Sequence, residues 1–144
     1  MNRPATIRSS LRCAGCGAAP AAGDPFGWAC PNRRSGDGVD HVMAHHLDPA
    51  GLELVSSDSE NPFVRYRSLL AAYHRWLEAG RDDASFVSLV NTLDDAVARV
   101  DGRGFRRTPL ARFDQLDAAI GARIWVKDET ANVSGSHKGR HLFG

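Results

Sequence analysis

At 144 residues with 42% hydrophobic content, the chain is one domain's worth of polypeptide with enough apolar material for a core, which excludes a wholly disordered tail. Lys and Arg total 18 against 17 acidic residues, a formal net charge of +1, so no global field draws it to nucleic acid or to an anionic membrane. No apolar run approaches the ~20 residues that span a bilayer, and basic residues in Met1 to Arg12 have no apolar stretch behind them, which argues against a secretory signal and for a cytoplasmic protein.

Residues 1–60 are rich in Gly, Ala, Pro, Ser and Asp and weak in apolar periodicity, which predicts loops and short strands. This region reads as an N-terminal extension carrying all three cysteines. An odd cysteine count without an export signal argues against a disulfide framework. Cys13-Ala14-Gly15-Cys16 and, after thirteen intervening residues, Cys30-Pro31 look instead like a zinc ribbon with one ligand absent. A second Cys is expected near position 33, which is Arg33. Structural zinc takes four ligands at tetrahedral geometry. Asp40, His41, His45 and His46 are the candidates for the fourth, and a degenerate ribbon that has lost its metal is the competing reading. Ser56 to Glu60 reads as a solvated linker.

Asn61-Pro62 pairs a good N-cap with a residue suited to the first helical position. Phe63, Tyr66, Leu70, Tyr73 and Leu77 then form an apolar stripe, joined by Leu69 and Trp76, that predicts a helix closed at Gly80. A second helix follows, with Phe86, Leu89, Val90, Leu93, Val97 and Val100 on one face and Gly102 as its stop. The basic segment Arg103 to Arg107 reads as a solvated turn rather than a nucleic-acid contact. Thr108-Pro109-Leu110 leads into a short helix with Leu110, Phe113, Leu116 and Ile120 on a face, ended by Gly121. Arg123 to Lys127 is rich in β-formers and predicts a strand. A polar loop, Asp128 to Gly135, precedes a final helix from about Lys138, capped by Ser134 or Ser136.

The cations are 16 Arg and two Lys, Lys127 and Lys138. Arginine stays protonated at working pH, so amine chemistry here has two candidate side chains. A lysine in the first turn of a helix feels the positive end of the dipole, which disfavours the ammonium form. The small residues Gly135, Ser136 and Gly139 let a flat ligand approach the backbone. A lysine so held can form a Schiff base with an aldehyde.

Three segments in order, Thr108-Pro109-Leu110, Val126-Lys127-Asp128-Glu129 and Asn132-Val133-Ser134-Gly135-Ser136-His137-Lys138-Gly139-Arg140, resemble the start of the pyridoxal-phosphate enzymes related to threonine synthase. That superfamily, of the tryptophan-synthase-β type, includes serine and threonine dehydratases and cysteine synthase. Its threonine-synthase branch carries Thr-Pro-Leu, a Lys-x-Glu strand and an Asn-Pro-Thr-Gly-Ser-Phe-Lys-Asp-Arg loop. The Cys-x-x-Cys region and Asn61-Pro62-Phe63-Val64-Arg65-Tyr66 also resemble threonine synthases with an N-terminal extension.

The resemblance implies that Lys138 carries pyridoxal 5'-phosphate and, once released by substrate, acts as general base at the substrate α-carbon. His137 stands where the family has Phe against the cofactor ring, and Lys127 falls on the Lys-x-Glu strand and is not the Schiff base. The implied fold is α/β: residues 61–144 would begin the catalytic domain of a two-domain enzyme, mostly helical with one or few strands. The implied reaction is conversion of O-phosphohomoserine to threonine and phosphate. A serine/threonine dehydratase or a cysteine-synthase-like β-replacement enzyme shares the loop and is the close alternative, and a non-catalytic zinc-binding or interaction module is the alternative of another class. The partners implied are a small amino-acid substrate and a second copy in a homodimer, with no nucleic acid and no membrane. The family's phosphate loop, ring-hydroxyl Asn and ring-nitrogen Ser or Thr follow the lysine, so the 144 residues are expected to be the N-terminal piece of a longer enzyme, inactive alone.

Overall fold

The structure is a computed structural model that describes residues 9–22, 24, 27–48 and 57–143. Two strands, β1 (Ser9–Cys13) and β2 (Met43–Leu47), pair antiparallel with Ser9 opposite Leu47 and Cys13 opposite Met43. This ribbon rests against α2 (Ala71–Glu78). Between β1 and β2 the chain turns through Gly17, whose φ of +73° suits a residue without a β-carbon.

The segment predicted as one helix from Asn61 to Gly80 is broken into three. Asn61 caps α1 (Pro62–Arg65) by accepting the Phe63 N–H at 2.9 Å. A 3₁₀ turn follows at Arg67–Leu69, and α2 starts only after Leu70, whose backbone is extended. Polar burial explains the break. The Arg67 guanidinium turns inward to the Val64 carbonyl at 2.8 Å and to both oxygens of Asp83, at 2.5 and 2.9 Å. The Ser68 carbonyl lies 2.9 Å from the His74 ring nitrogen Nε2, and both residues are buried. A regular helix would spend that carbonyl on its own ladder. The break also leaves Tyr66 and Leu69 exposed, outside the stripe that periodicity assigns them to.

Helix α3 (Asp83–Asp101) stops at Gly102, as its sequence predicts. Asp82 accepts the Ser85 N–H at 2.8 Å, and Gly102 closes the last turn in the left-handed region at φ +80°. Its buried face is Phe86, Val90 and Asp94, with Val97 packed against the core; Leu89, Leu93 and Val100 face outward. The core is Phe63, Val64, Tyr73, Phe86, Val90, Phe105 and Val133.

The basic segment after Gly102 is solvated at its arginines but not throughout. Phe105 is 2% exposed, and its N–H donates to buried Asp94 at 2.7 Å. Gly104 passes so close that a β-carbon there would stand 2.7 Å from both Asp94 carboxylate oxygens. Likewise Ser57 to Glu60 are anchored rather than free. Ser59 accepts the Asn61 N–H at 3.2 Å, and the Glu60 carbonyl takes the Arg107 N–H at 2.9 Å; Ser56 lies outside the described residues.

Leu110 belongs to a strand rather than to the short helix. Strands β3 (Leu110–Arg112) and β4 (Trp125–Lys127) pair antiparallel, so the predicted strand has a partner, and α4 (Asp114–Ile120) spans the connection to its stop at Gly121. A 3₁₀ turn at Val133–Gly135 leads to α5 (Lys138–Phe143). Phe63, Phe105 and Phe143 meet ring to ring at centroid distances of 4.6 to 5.1 Å, which fastens α5 to the helical core. Among the described residues no helix is long and apolar enough to cross a membrane.

Candidate functional site

Lys138 opens α5 at the end of a loop whose shape is held by buried polar contacts. Asn132 is fully buried, and its amide nitrogen donates to the Ser136 carbonyl at 3.0 Å. The Ser134 N–H reaches the Asp101 carboxylate at 3.0 Å, which ties the loop to the end of α3. Ser134 and Gly135 both adopt the left-handed region, at φ +58° and +59°. The cap falls to Ser136, whose hydroxyl accepts the Lys138 N–H at 3.2 Å. A β-carbon on Gly139 would sit 3.2 Å from the Val133 carbonyl and 3.6 Å from Phe105, so the loop passes close over the aromatic cluster.

The two lysines have different surroundings. The Lys127 ammonium donates to the Thr108 carbonyl and lies 3.6 Å from Glu129. Thr108 in turn donates to Glu129 at 2.5 Å, and Arg140 reaches Thr108 at 3.1 Å, Glu129 at 3.4 Å and the Arg106 carbonyl at 2.9 Å. Four residues from three segments therefore form one polar cluster. The Thr108 hydroxyl, opposed by burial and helped by Arg140 and Lys127, holds the Glu129 carboxyl below its ordinary range. Lys138 is exposed, and among the described residues its ammonium has neither an ion-pair nor a hydrogen-bond partner. His137 is exposed too, its ring edge-on to His141 at 5.9 Å. The spacing of the three segments is visible in the sequence; that Thr108, Lys127, Glu129 and Arg140 converge is not, because no local rule joins residues this far apart.

A second constellation lies beside the β1–β2 ribbon. One ligand atom from each of Cys13, Cys16, Cys30 and His41 falls within 4.8 Å of the others. Cys13 Sγ is 3.4 Å from His41 Nδ1, and the sulfurs of Cys16 and Cys30 are 3.5 Å apart. The first two cysteines sit on a tight turn in which the Cys13 carbonyl accepts the Gly17 N–H at 2.8 Å and the Ala18 carbonyl accepts the Cys13 N–H at 2.8 Å. Gly15 is needed there, since a β-carbon would meet the Asp40 carbonyl at 2.5 Å. His41 is anchored from its far side by Asp37, at 3.0 Å from Nε2. Of the four candidates for a fourth ligand, His41 alone joins the cysteines. Asp40 is not part of the cluster, and His45 and His46 lie on β2 opposite Leu11 and Ser10.

Burial disfavours the Cys13 thiolate, yet hydrogen bonds from the Cys16 backbone, from His41 and from the Gly15 backbone outweigh it and bring the thiol down to about 6. Burial pushes the Cys30 thiol up. The bond to Cys13, and then Asp37, raises His41 against the opposing effect of burial.

The arginines of the basic segment are engaged. Arg106 pairs with Asp94 at 3.2 Å, Arg107 with Glu60 at 3.6 Å, and Arg103 approaches Asp101 at 3.9 Å. No family model matches the chain, and neither the curated proteins nor the solved structures contain a match.

Proposed function

We propose that the chain is the N-terminal portion of a pyridoxal-phosphate-dependent amino-acid lyase or synthase resembling threonine synthase, with Lys138 as the residue that carries the cofactor. The observation that carries this reading is the contrast between the chain's two amines. Lys127 is spent on Thr108 and Glu129, whereas Lys138 stands unpaired at a loop-to-helix junction. The residues fit the group at its aldehyde, which needs an unpaired primary amine that can be reached from solvent. When bound, the cofactor supplies an electron sink for charge developing at the substrate α-carbon.

The chain's own residues then have distinct tasks. Lys138 would tether the cofactor through Nζ, and the same amine would take or return the substrate α-proton. His137, next in the chain to Lys138 and edge-on to His141 at 5.9 Å, would lie beside the cofactor ring. Asn132 and Ser136 keep the loop in one shape, through the amide bond at 3.0 Å and the cap at 3.2 Å. Thr108, Glu129, Lys127 and Arg140 brace the strand pair against α5.

The test uses the gene's full-length product. Replacement of Lys138 by Ala is expected to abolish the yellow colour and all turnover, while Lys127→Arg keeps both. A yellow, active Lys138→Ala protein would overturn the reading. Substrate class is decided by product: phosphate release from O-phosphohomoserine supports the threonine-synthase reading, and an oxo-acid formed from serine or threonine supports a dehydratase.

A further inference from the structure

We propose that Cys13, Cys16, Cys30 and His41 together bind one zinc ion, a structural clamp at the base of the β1–β2 ribbon. Zinc–sulfur bonds of about 2.3 Å and a zinc–nitrogen bond of about 2.0 Å, set at tetrahedral angles, place ligand atoms about 3.5–3.8 Å apart. The closest pairs stand at 3.4 and 3.5 Å and the whole set within 4.8 Å, so the ligands need shifts of less than an ångström or so to close on a common centre.

The surroundings suit a metal rather than a disulfide. A Cys16–Cys30 bond would strand Cys13 and His41 in a buried pocket, and all three cysteines are free thiols here. His41 presents Nδ1 to the sulfurs while Nε2 faces Asp37 at 3.0 Å, the arrangement in which a carboxylate fixes the tautomer of a metal-bound imidazole. The His41 side chain is 5% exposed, so its orientation is set before any ion arrives. Three thiolates and one neutral imidazole on Zn²⁺ leave one net negative charge, and the Asn32 amide nitrogen stands 3.7 Å from the Cys16 sulfur to meet it. Binding releases the thiol protons to solvent; no electron moves and no bond to carbon changes. Four protein ligands fill the coordination sphere, which makes the site structural rather than catalytic. A two-stranded ribbon is marginally stable by itself in water, and the ion would add to the support that α2 gives it.

The experiment uses the full chain, reduced and freed of metal, titrated with zinc alone against a colorimetric chelator and, in parallel, with Co²⁺. One equivalent of zinc is expected, and cobalt should give tetrahedral visible bands with thiolate charge transfer. Cys30→Ser should abolish stoichiometric binding. Asp37→Asn should weaken it by about 10–100-fold, as loss of an outer-shell partner does. His41→Ala should weaken it at least as much, and His41→Cys should restore it with a cobalt spectrum shifted toward four sulfurs. His46→Ala should leave binding unchanged. Absence of zinc binding by the reduced wild-type chain, an unaltered cobalt spectrum in His41→Cys, or a Cys16–Cys30 disulfide that persists in mild reductant would overturn the proposal.

Discussion

Removing the ring of Phe105 tests whether the helix bearing Lys138 is held to the rest of the molecule by aromatic packing. The ring is 2% exposed and meets Phe63 at 5.1 Å, edge to face, and Phe143 at 4.7 Å. A phenylalanine buries at least ~150 Å², which at ~25 cal/mol per Å² is about 4 kcal/mol of transfer free energy. Core Phe→Ala changes cost about 3–5 kcal/mol in practice. Phe143 is only half-buried and can settle into part of the vacated space, which favours the lower end, about 3 kcal/mol. Against a total of about 5–15 kcal/mol that is a large fraction, and at roughly 3 °C per kcal/mol it lowers Tm by about 10 °C. Urea unfolding of Phe105→Ala should show the midpoint falling with the m-value unchanged. Amide exchange in the milder Phe105→Leu should accelerate first in α5, over Lys138–Phe143. A loss below about 1 kcal/mol, or acceleration confined to the β1–β2 ribbon, would refute the assignment of Phe105 as the joint between α5 and the core.

Gly104→Ala places a methyl 2.7 Å from both oxygens of Asp94, the carboxylate that holds the Phe105 N–H. A destabilisation of about 2 kcal/mol is expected by thermal or urea unfolding, and a neutral result would contradict the close passage. Asp83 gives the pH prediction. Its hydrogen bonds from Arg67, opposed by burial and joined by Tyr73, lower its pKa, so its stabilisation is present in full above the unfolded value near 3.9. That contribution disappears as pH falls below 3.9 through the lower folded value. Asp83 is half exposed, so about 1 kcal/mol is the discounted size. Asp83→Asn should therefore lose stability at pH 7 and show a flatter decline between about pH 4 and 2. An acid limb identical to wild type would exclude Asp83 as a contributor.

What the sequence discloses of this fold depends on whether the deciding partner is local. The end of α3 is legible because Gly102 closes its own turn, whereas the apolar stripe does not mark the Asp82 cap at its start. The break at Leu70 is not. The apolar stripe runs straight through it, and the cause is Arg67 reaching Asp83 sixteen residues away. The same reason hides the burial of Phe105, which hinges on Asp94 eleven residues upstream in α3. Strand β3 is three residues long, and only its pairing with β4 distinguishes it from the start of a helix. At the candidate site, the sequence narrows amine chemistry to two lysines, and the choice of Lys138 over Lys127 rests on the family resemblance. The engagement of Lys127 with Thr108 is a tertiary fact. The cysteine spacing resembles a zinc ribbon, but nothing local separates His41 from Asp40, His45 or His46; the 28 positions from Cys13 to His41 are closed by the fold.

The account stands on the amine at position 138. Borohydride reduction of the gene's full-length product in the presence of pyridoxal 5'-phosphate, followed by peptide mass analysis, reads the attachment point directly. A single stable adduct on the peptide containing Lys138, at one equivalent per chain, is the predicted result. An adduct on the Lys127 peptide in its place, or a protein that takes up no cofactor, would contradict it.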